Sequence, residues 1–335
     1  MSDATPPEQK GTAPVREPIV GVIYNPRSHR NRGKDLDVAS RPNVHVAQPQ
    51  KHEDIAVALK DLAARKIDFL IINGGDGTVR DVLTCGQVVF GDSWPDLAVL
   101  PKGKTNALNV DLGAPAGWNL ADAIDAYPTA RRIKRRPVSI SPADGEAEAI
   151  PGCGTSMLGF ILGGGAFTLG VQAGQDAHKM GAFNSLAVGV TSAWGVLSGV
   201  LGRDDNPWRR GTVMQFLLGK DRTPLPHSGI GDPERRSVFL ASTLERFPAG
   251  MKLFRTGDRG LKLMVLDRPR RRILSLMPVI MAGLVPQWVR RGGFHQVAAD
   301  NFELTIEEEY ILDGEAYPPG KYYITSGPEL SFVVP

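Results

Sequence analysis

Three glycines within four residues, Gly74, Gly75 and Gly77, lie between an apolar β-rich run (Phe69 to Ile72) and a helical segment (Val79 to Gln87), and this junction constrains the fold more than any other stretch. The same alternation runs from Ile19 to about Ile133: strand-like Ile19 to Tyr24, helix-like Asp54 to Arg65, strand-like Phe69 to Asn73, helix-like Val79 to Gln87, strand-like Leu97 to Leu100. Strands separated by helix-length segments predict parallel βαβ units in an α/β layer.

The junction also has a chemistry. In Asn73-Gly74-Gly75-Asp76-Gly77-Thr78 the glycines let the backbone approach a ligand closely and leave N–H groups to face an anion, as a nucleotide phosphate requires. Thr78 and Asp81 have the spacing of a capping box, which predicts a helix starting at Thr78 whose N-terminal dipole favours phosphate. Asp76 is placed to hold Mg²⁺ or to orient a transferred phosphoryl group. The competing reading is a plain strand-to-helix turn, because Gly-Asp-Gly is also ordinary turn chemistry.

After Pro137 the texture changes to short apolar runs (Gly159 to Leu162, Thr212 to Leu218, Ser237 to Ser242, Leu261 to Leu266, Asn301 to Ile306) broken by Gly, Pro and Asp-Gly. These predict an antiparallel, sandwich-like second domain with inserted helices. The division expected is a disordered tail over 1–16, an α/β domain over 17–136 that also takes about 320–335, and a β-rich domain over 137–319. The basic stretch Arg131 to Pro137 reads as the linker. The uncharged run Met180 to Gly202 is long enough to span a bilayer, but five glycines and several hydroxyl side chains predict a buried inserted helix instead.

Cys85 and Cys153 are too few for a disulfide framework and, with no secretory signal in evidence, are expected to stay reduced in a cytoplasm. A net charge of +3 from 39 basic and 36 acidic residues gives no reason to expect nucleic acid. The basic residues do cluster, in Arg131 to Arg136 and Arg268 to Arg272. The apolar run Ile273 to Val289, broken by Pro278 and Pro286 and flanked by Arg270 to Arg272 and by Arg290 and Arg291, suits an interfacial anchor on anionic lipid. A core helix with solvated ends is the alternative.

The loop Gly74 to Thr78 resembles the GGDGT signature shared by diacylglycerol kinases, sphingosine kinases and, more distantly, NAD kinases. Val22 to Ser28 looks like that family's first strand and Asn-Pro-x-Ser turn, so Asn25, Pro26 and Ser28 are expected to border the nucleotide. Leu97 to Asn106 looks like its Pro-x-Gly-Thr-x-Asn loop, which implies a phosphate-side role for Lys102, Gly103 and Asn106. Further along, Ala166 to Ala177, a hairpin over Leu253 to Leu266, Ile311 to Glu315 and the closing segment Ser326 to Val334 follow the family's order, so the likeness covers nearly all of residues 18–335.

The resemblance implies a lipid kinase that uses ATP and Mg²⁺, with its active site in a cleft between two domains. It acts on a lipid at the inner face of the membrane, and a homodimer is left open. Two carboxylates two residues apart on an extended chain point to one side, and by resemblance Asp313 and Glu315 supply the base and an orienting group. Departures are His29, Lys104, Ala107 and Ser139, the last two where relatives carry acids, and Lys262, which puts a structural metal site in doubt. Those missing acids keep a catalytically weak nucleotide- or lipid-binding protein as one alternative. A kinase for a soluble acceptor such as NAD is another.

Overall fold

The computed structural model describes residues 16–28, 31, 39–145, 150–179, 206–255 and 257–335. The expected tail apart from Arg16, His29, and the expected helix from Met180 onward lie outside the described residues.

A six-stranded sheet is built from β1 (Val20–Tyr24), β2 (Val44–Ala47), β3 (Phe69–Gly74), β4 (Asp96–Pro101), β5 (Arg131–Arg135) and the final strand β19 (Leu330–Val334), in the order β2-β1-β3-β4-β19-β5. All neighbours run parallel except β19 and β5. β1 and β3 are buried along their whole length, as expected for strands covered on both faces. Helices α1 (His52–Ala64) and α2 (Asp76–Phe90) cover one face, with Ile55, Leu59, Leu62, Val82 and Leu83 packed on Ile23, Leu70, Ile72 and Val99. Trp118 and α4 (Leu120–Ala126) cover the other, on Val20, Val22, Phe69 and Ile71. A short helix α3 (Ala107–Leu112) follows β4.

Two antiparallel sheets form the rest. One joins β6 (Val138–Pro142), β7 (Met157–Gly159), β9 (Thr212–Leu218), β10 (Thr223–Pro224), β11 (Arg235–Arg236), β15 (Asn301–Ile306) and β18 (Gly320–Ser326). The other runs β14 (Phe294–Ala298), β13 (Lys262–Leu266), β12 (Val238–Ser242), β8 (Ile161–Gly165), β16 (Tyr310–Leu312), β17 (Glu315–Tyr317). They share one apolar core, with Ile140, Phe216, Phe302 and Ile324 of the first against Leu162, Phe239, Leu263 and Tyr310 of the second. Helix α5 (Ala166–Lys179) continues from β8.

Four expectations need correcting. The arginine-rich stretch is not a linker but the edge strand β5, where exposed charges discourage further strand addition. Of residues 320–335 only β19 enters the parallel sheet, since β18 pairs with β15 and β6. The described residues of the run Leu253 to Leu266 hold one strand, β13, paired with β12 and β14, rather than a hairpin. And Cys85 and Cys153 are not free thiols: they form a disulfide with 4.4 Å between Cα atoms. Their separation of 68 residues says nothing about proximity; packing of α2 on β7 brings them together, and the Leu158 N–H donates to Thr84 Oγ1 at 3.0 Å beside the bridge.

Candidate active site

The glycine loop closes β3 and opens α2. Gly75 is the N-cap and the helix starts at Asp76, not at Thr78, so the capping box does not form. Asp81 is instead held by Arg80 (2.9 and 2.7 Å) and by His52 Nδ1 (2.5 Å). An earlier start puts the amides of Gly77 and Thr78 in the first turn, where a helix leaves N–H groups without intrahelical acceptors. The Gly75 N–H is occupied, donating to Ser28 Oγ at 3.2 Å, and Asn25 Nδ2 donates to Thr78 Oγ1 at 2.8 Å. The Asn25-Pro26-Arg27-Ser28 turn therefore braces the loop from its side. Asn31, which sequence reasoning missed, ties the two together by donating to the carbonyls of Asn25 (2.8 Å) and Asn73 (3.0 Å). Asn73 is fully buried with neither side-chain polar atom partnered among the described residues. Such a group commonly marks a place for water or ligand.

The third loop touches the first through two glycines. A Cβ on Gly75 would stand 3.0 Å from Gly103 Cα, and one on Gly103 would stand 2.8 Å from Gly75 Cα, so only glycine allows this approach. Asp76 then pins the contact: its two oxygens accept the N–H groups of Asn106 and Ala107, each at 2.9 Å. Burial raises the Asp76 carboxyl above its ordinary range, and those two N–H bonds only partly offset it. Asn106 sits in the left-handed region (φ 50°), its Oδ1 accepting from the Gly103 N–H at 2.8 Å. Lys102 is buried in this loop and Lys104 is exposed.

The acidic tripeptide is not extended. Asp313 (φ 47°) and Gly314 (φ 89°) are the two central residues of a tight hairpin turn joining β16 to β17, the turn that Asp-Gly favours. The same-side argument for the two acids fails for that reason, and they occupy different environments. Asp313 accepts from the N–H groups of Phe160 (2.9 Å) and Ile161 (2.8 Å), and a Cβ on Gly159 would crowd its Oδ2 at 2.7 Å. Burial pushes its carboxyl up; the Ile161 N–H pulls it back, the nearby charge of Asp76 adds to the rise, and it stands at about 7. Glu315 is exposed, and its carboxylate makes no hydrogen bond with the described residues.

Arg80 is the residue that sequence reasoning overlooked, since an arginine in an amphipathic helix reads as solvated. It is buried, faces the Tyr317 ring at 5.9 Å, and feels the charges of both Asp81 and Glu315. It links the helix of the glycine loop to the hairpin of the acids. Among the departures, Ser139 is buried in β6, and Lys262 is buried with Nζ donating to the Leu244 carbonyl at 2.5 Å.

No group of three or more His, Cys, Asp or Glu side chains among the described residues is placed to hold a metal alone. Mg²⁺ is characteristically held by one or two carboxylates together with substrate phosphates. Asp76 fits that pattern, because each oxygen retains a lone pair after accepting one N–H.

Comparison with known proteins adds sequence and fold likenesses. Residues 20–141 match the diacylglycerol kinase catalytic domain. A diacylglycerol kinase of Bacillus subtilis (strain 168) is 32% identical over 141 residues, 37% of this chain and 42% of that one, so the match spans less than half of that relative. A crystal structure of a diacylglycerol kinase from Bacillus anthracis str. Sterne superposes with a TM-score of 0.60 at 15% identity, covering 94% of this chain and 96% of that one. Another structure from the same strain gives 0.62 at 15% identity over 94% and 97% of the two chains. At that identity the structural likeness speaks for the fold, while the family match over residues 20–141 includes the glycine loop. Over residues 20–141 the chain is similar to the diacylglycerol kinase catalytic domain.

Proposed function

We propose that this protein is an ATP-dependent lipid kinase that transfers the γ-phosphate of Mg-ATP to a hydroxyl of diacylglycerol or a related lipid. The observation that carries the proposal is the meeting of the glycine loop and the acid turn: Arg80, in the helix that the loop opens, is buried on Asp81 and lies 5.9 Å from the ring of Tyr317, in the hairpin whose turn holds Asp313. In this reading Asn25, Ser28, Asn73, Gly74, Gly75, Gly77, Thr78, Lys102, Gly103 and Asn106 build the nucleotide side. The N–H groups of Gly77 and Thr78 face the phosphates, where the helix dipole assists. Mg²⁺ neutralises the phosphate charge beside Asp76, and positioning supplies most of the rate.

Glu315 takes the proton from the acceptor hydroxyl, because its carboxylate is unengaged. Asp313, whose oxygens are occupied by the Phe160 and Ile161 amides, holds the turn that presents it. The cleft lies between an α/β unit, about 17–136 with β19, and the paired antiparallel sheets.

A lipid acceptor is supported by a pocket of about 410 Å³ in which the apolar Leu244, Phe247, Met251, Leu253 and Phe254 stand beside the charged Glu245, Lys252, Arg255, Asp258, Arg259 and Lys262, a mixed lining that suits a polar headgroup with an apolar chain. Lys262 pairs with Ser242 and Ser242 with Ile161, so the pocket opens at the end of the sheet where Asp313 is anchored. Membrane contact is supported by the segment after β13. Ile273, Ile280 and Val289 are buried while Val279, Leu284 and Trp288 are exposed, and arginines flank both ends. No helix among the described residues is long and apolar enough to cross a membrane. We place the protein at the surface of an anionic membrane.

The test is transfer of labelled γ-phosphate from ATP to detergent-dispersed diacylglycerol, sphingoid base and, separately, NAD. Transfer to a lipid, reduced at least ~10²-fold in Asp76→Asn and in Glu315→Gln, is the expected result. Transfer to NAD alone, or Mg-ATP binding by calorimetry with no transfer to any acceptor, sinks the proposal.

A further inference from the structure

Arg80 does more than tie the glycine-loop helix to the hairpin of the acids. A helical side chain leans back over the turn N-terminal to its own Cα, and residues three apart share a face, so Arg80 reaches from the second turn of α2 over Gly77 in the first. A Cβ built on Gly77 would stand 4.0 Å from Arg80 Nη2. The guanidinium is therefore held above the turn whose N–H groups have no intrahelical acceptors.

Asp81 takes one edge of that guanidinium. Its Oδ1 accepts from Nε at 2.9 Å and from Nη2 at 2.7 Å, while its Oδ2 is engaged by His52 Nδ1 at 2.5 Å. The fork is planar, so fixing Nε and Nη2 turns Nη1 away from Asp81. Arg80 is buried, and its Nη1 meets no acceptor among the described residues. A buried charged donor in that state costs free energy unless a ligand accepts from it.

The opposite wall belongs to the acid hairpin. Arg80 Cζ lies 5.9 Å from the centre of the Tyr317 ring, and Glu315, two residues earlier on β17, lines the same face of that strand. Burial works against the charge on Arg80, and the nearby negative groups, Asp81 first and Glu315 among them, hold it protonated. A fixed cation with one donor group uncommitted thus stands between the first turn of α2 and the strand that carries Glu315. A phosphoryl group passing from a nucleotide on the glycine loop to a hydroxyl beside Glu315 has to cross this space, and its oxygens are the acceptors that Nη1 lacks.

We propose that Arg80 is a catalytic residue of the transfer, donating from Nη1 to an oxygen of the γ-phosphoryl group; this rests on the functional reading above, in which Glu315 is the base. The bond from the γ-phosphorus to the β–γ bridging oxygen breaks, and its electron pair leaves with ADP. The acceptor oxygen forms the new bond to the γ-phosphorus, and its proton goes to the Glu315 carboxylate. Arg80 exchanges no proton. It supplies positive charge and a hydrogen bond where negative charge gathers on the transferring oxygens, and Asp81 fixes its position in advance.

The experiment compares the full wild-type chain with Arg80→Ala and with Arg80→Lys, which keeps a charge beside Asp81 but not the fork. Three quantities are measured: kcat for transfer of labelled γ-phosphate to detergent-dispersed lipid, the Kd of a non-hydrolysable ATP analogue with Mg²⁺, and the Kd of Mg-ADP with aluminium fluoride, which mimics the phosphoryl group in flight. The expected result is a kcat lower by about 10³-fold in Arg80→Ala and by at least about 10-fold in Arg80→Lys, with the fluoroaluminate complex weakened to match and affinity for the ATP analogue within about threefold of wild type. An arginine that only held two elements together would weaken both nucleotide complexes alike, and that pattern overturns the proposal. So does a wild-type kcat in either folded variant, and so does fluoroaluminate binding that is absent from the wild-type chain or equal in all three proteins. If Arg80→Ala does not fold, Arg80→Lys decides alone. A wild-type chain that transfers phosphate to no acceptor strikes the functional reading, and the fluoroaluminate comparison, which needs no acceptor, still decides the role of Arg80.

Discussion

The glycine loop and the acid turn solve the same problem differently. Each ends in an aspartate whose oxygens accept two backbone N–H groups, Asp76 from Asn106 and Ala107 and Asp313 from Phe160 and Ile161. Asp76 locks one loop onto another at the C-terminal ends of the adjacent strands β3 and β4, and glycine–glycine contact makes that junction tight. Asp313 locks a hairpin of one antiparallel sheet onto the start of its neighbouring strand, at a bend that Gly159 keeps open. The first arrangement is largely local in its logic, strand then loop then helix. The second exists only because residues near 160 and 313 meet. A site made of one local and one long-range half depends on whatever holds the halves together, and here that includes Arg80 and the disulfide between α2 and the approach to β7.

The strongest way to break the comparison is to cut that covalent link. Closing a loop of 68 residues constrains the unfolded chain by about 4 kcal/mol, so reduction, or Cys153→Ser compared with the oxidised wild-type chain, should lower thermal stability markedly. Scanning calorimetry with and without dithiothreitol, with thiol counting by alkylation and mass spectrometry, checks this. An unchanged transition on confirmed reduction would refute it. Next in size, Gly103→Ala forces a Cβ into the Gly75 backbone and should cut phosphoryl transfer about 10²-fold or more, with binding of Mg-ATP weakened as well. Activity within a factor of three of wild type would show that the loops do not need this contact.

Asp76→Asn leaves at least one of the Asn106 and Ala107 amides without a good acceptor, a loss of about 1–3 kcal/mol measurable by urea denaturation. A further test separates the two acids by pH. Asp313 is held at about 7 in the folded chain, well above an unfolded aspartate, so the fold holds that proton more tightly. Stability attributable to this group is then lost as pH rises from about 4 to about 7, and Asp313→Asn should remove that slope, which is at most about 4 kcal/mol for a rise of about three pH units. Matching stability–pH curves for the variant and wild type would show that the carboxyl is not held neutral.

Much of the glycine-loop half was legible because it is local. Glycine spacing after an apolar run indicated the loop, and alternating strand and helix patterns indicated the parallel sheet. The helix start was misjudged by two residues because Gly75 caps with backbone alone and leaves no side-chain signal. Arg80 and Asn31 went unseen since nothing in their neighbours in sequence distinguishes a buried polar residue from a solvated one. The acids were found by resemblance, but their division of labour was not, because alternation along an extended chain does not apply inside a two-residue turn.

By itself, then, the sequence determined the elements whose cause is short-range: the glycine loop, the apolar strands and the Asp-Gly turn. Tertiary structure alone decided which of these meet. It joined Cys85 to Cys153, turned Arg131–Arg135 into an edge strand, set Asp313 against the amides of Phe160 and Ile161, and brought Arg80 to the ring of Tyr317. The physical reason is that burial and charge coupling depend on distances across the chain, and spacing along it does not encode those distances.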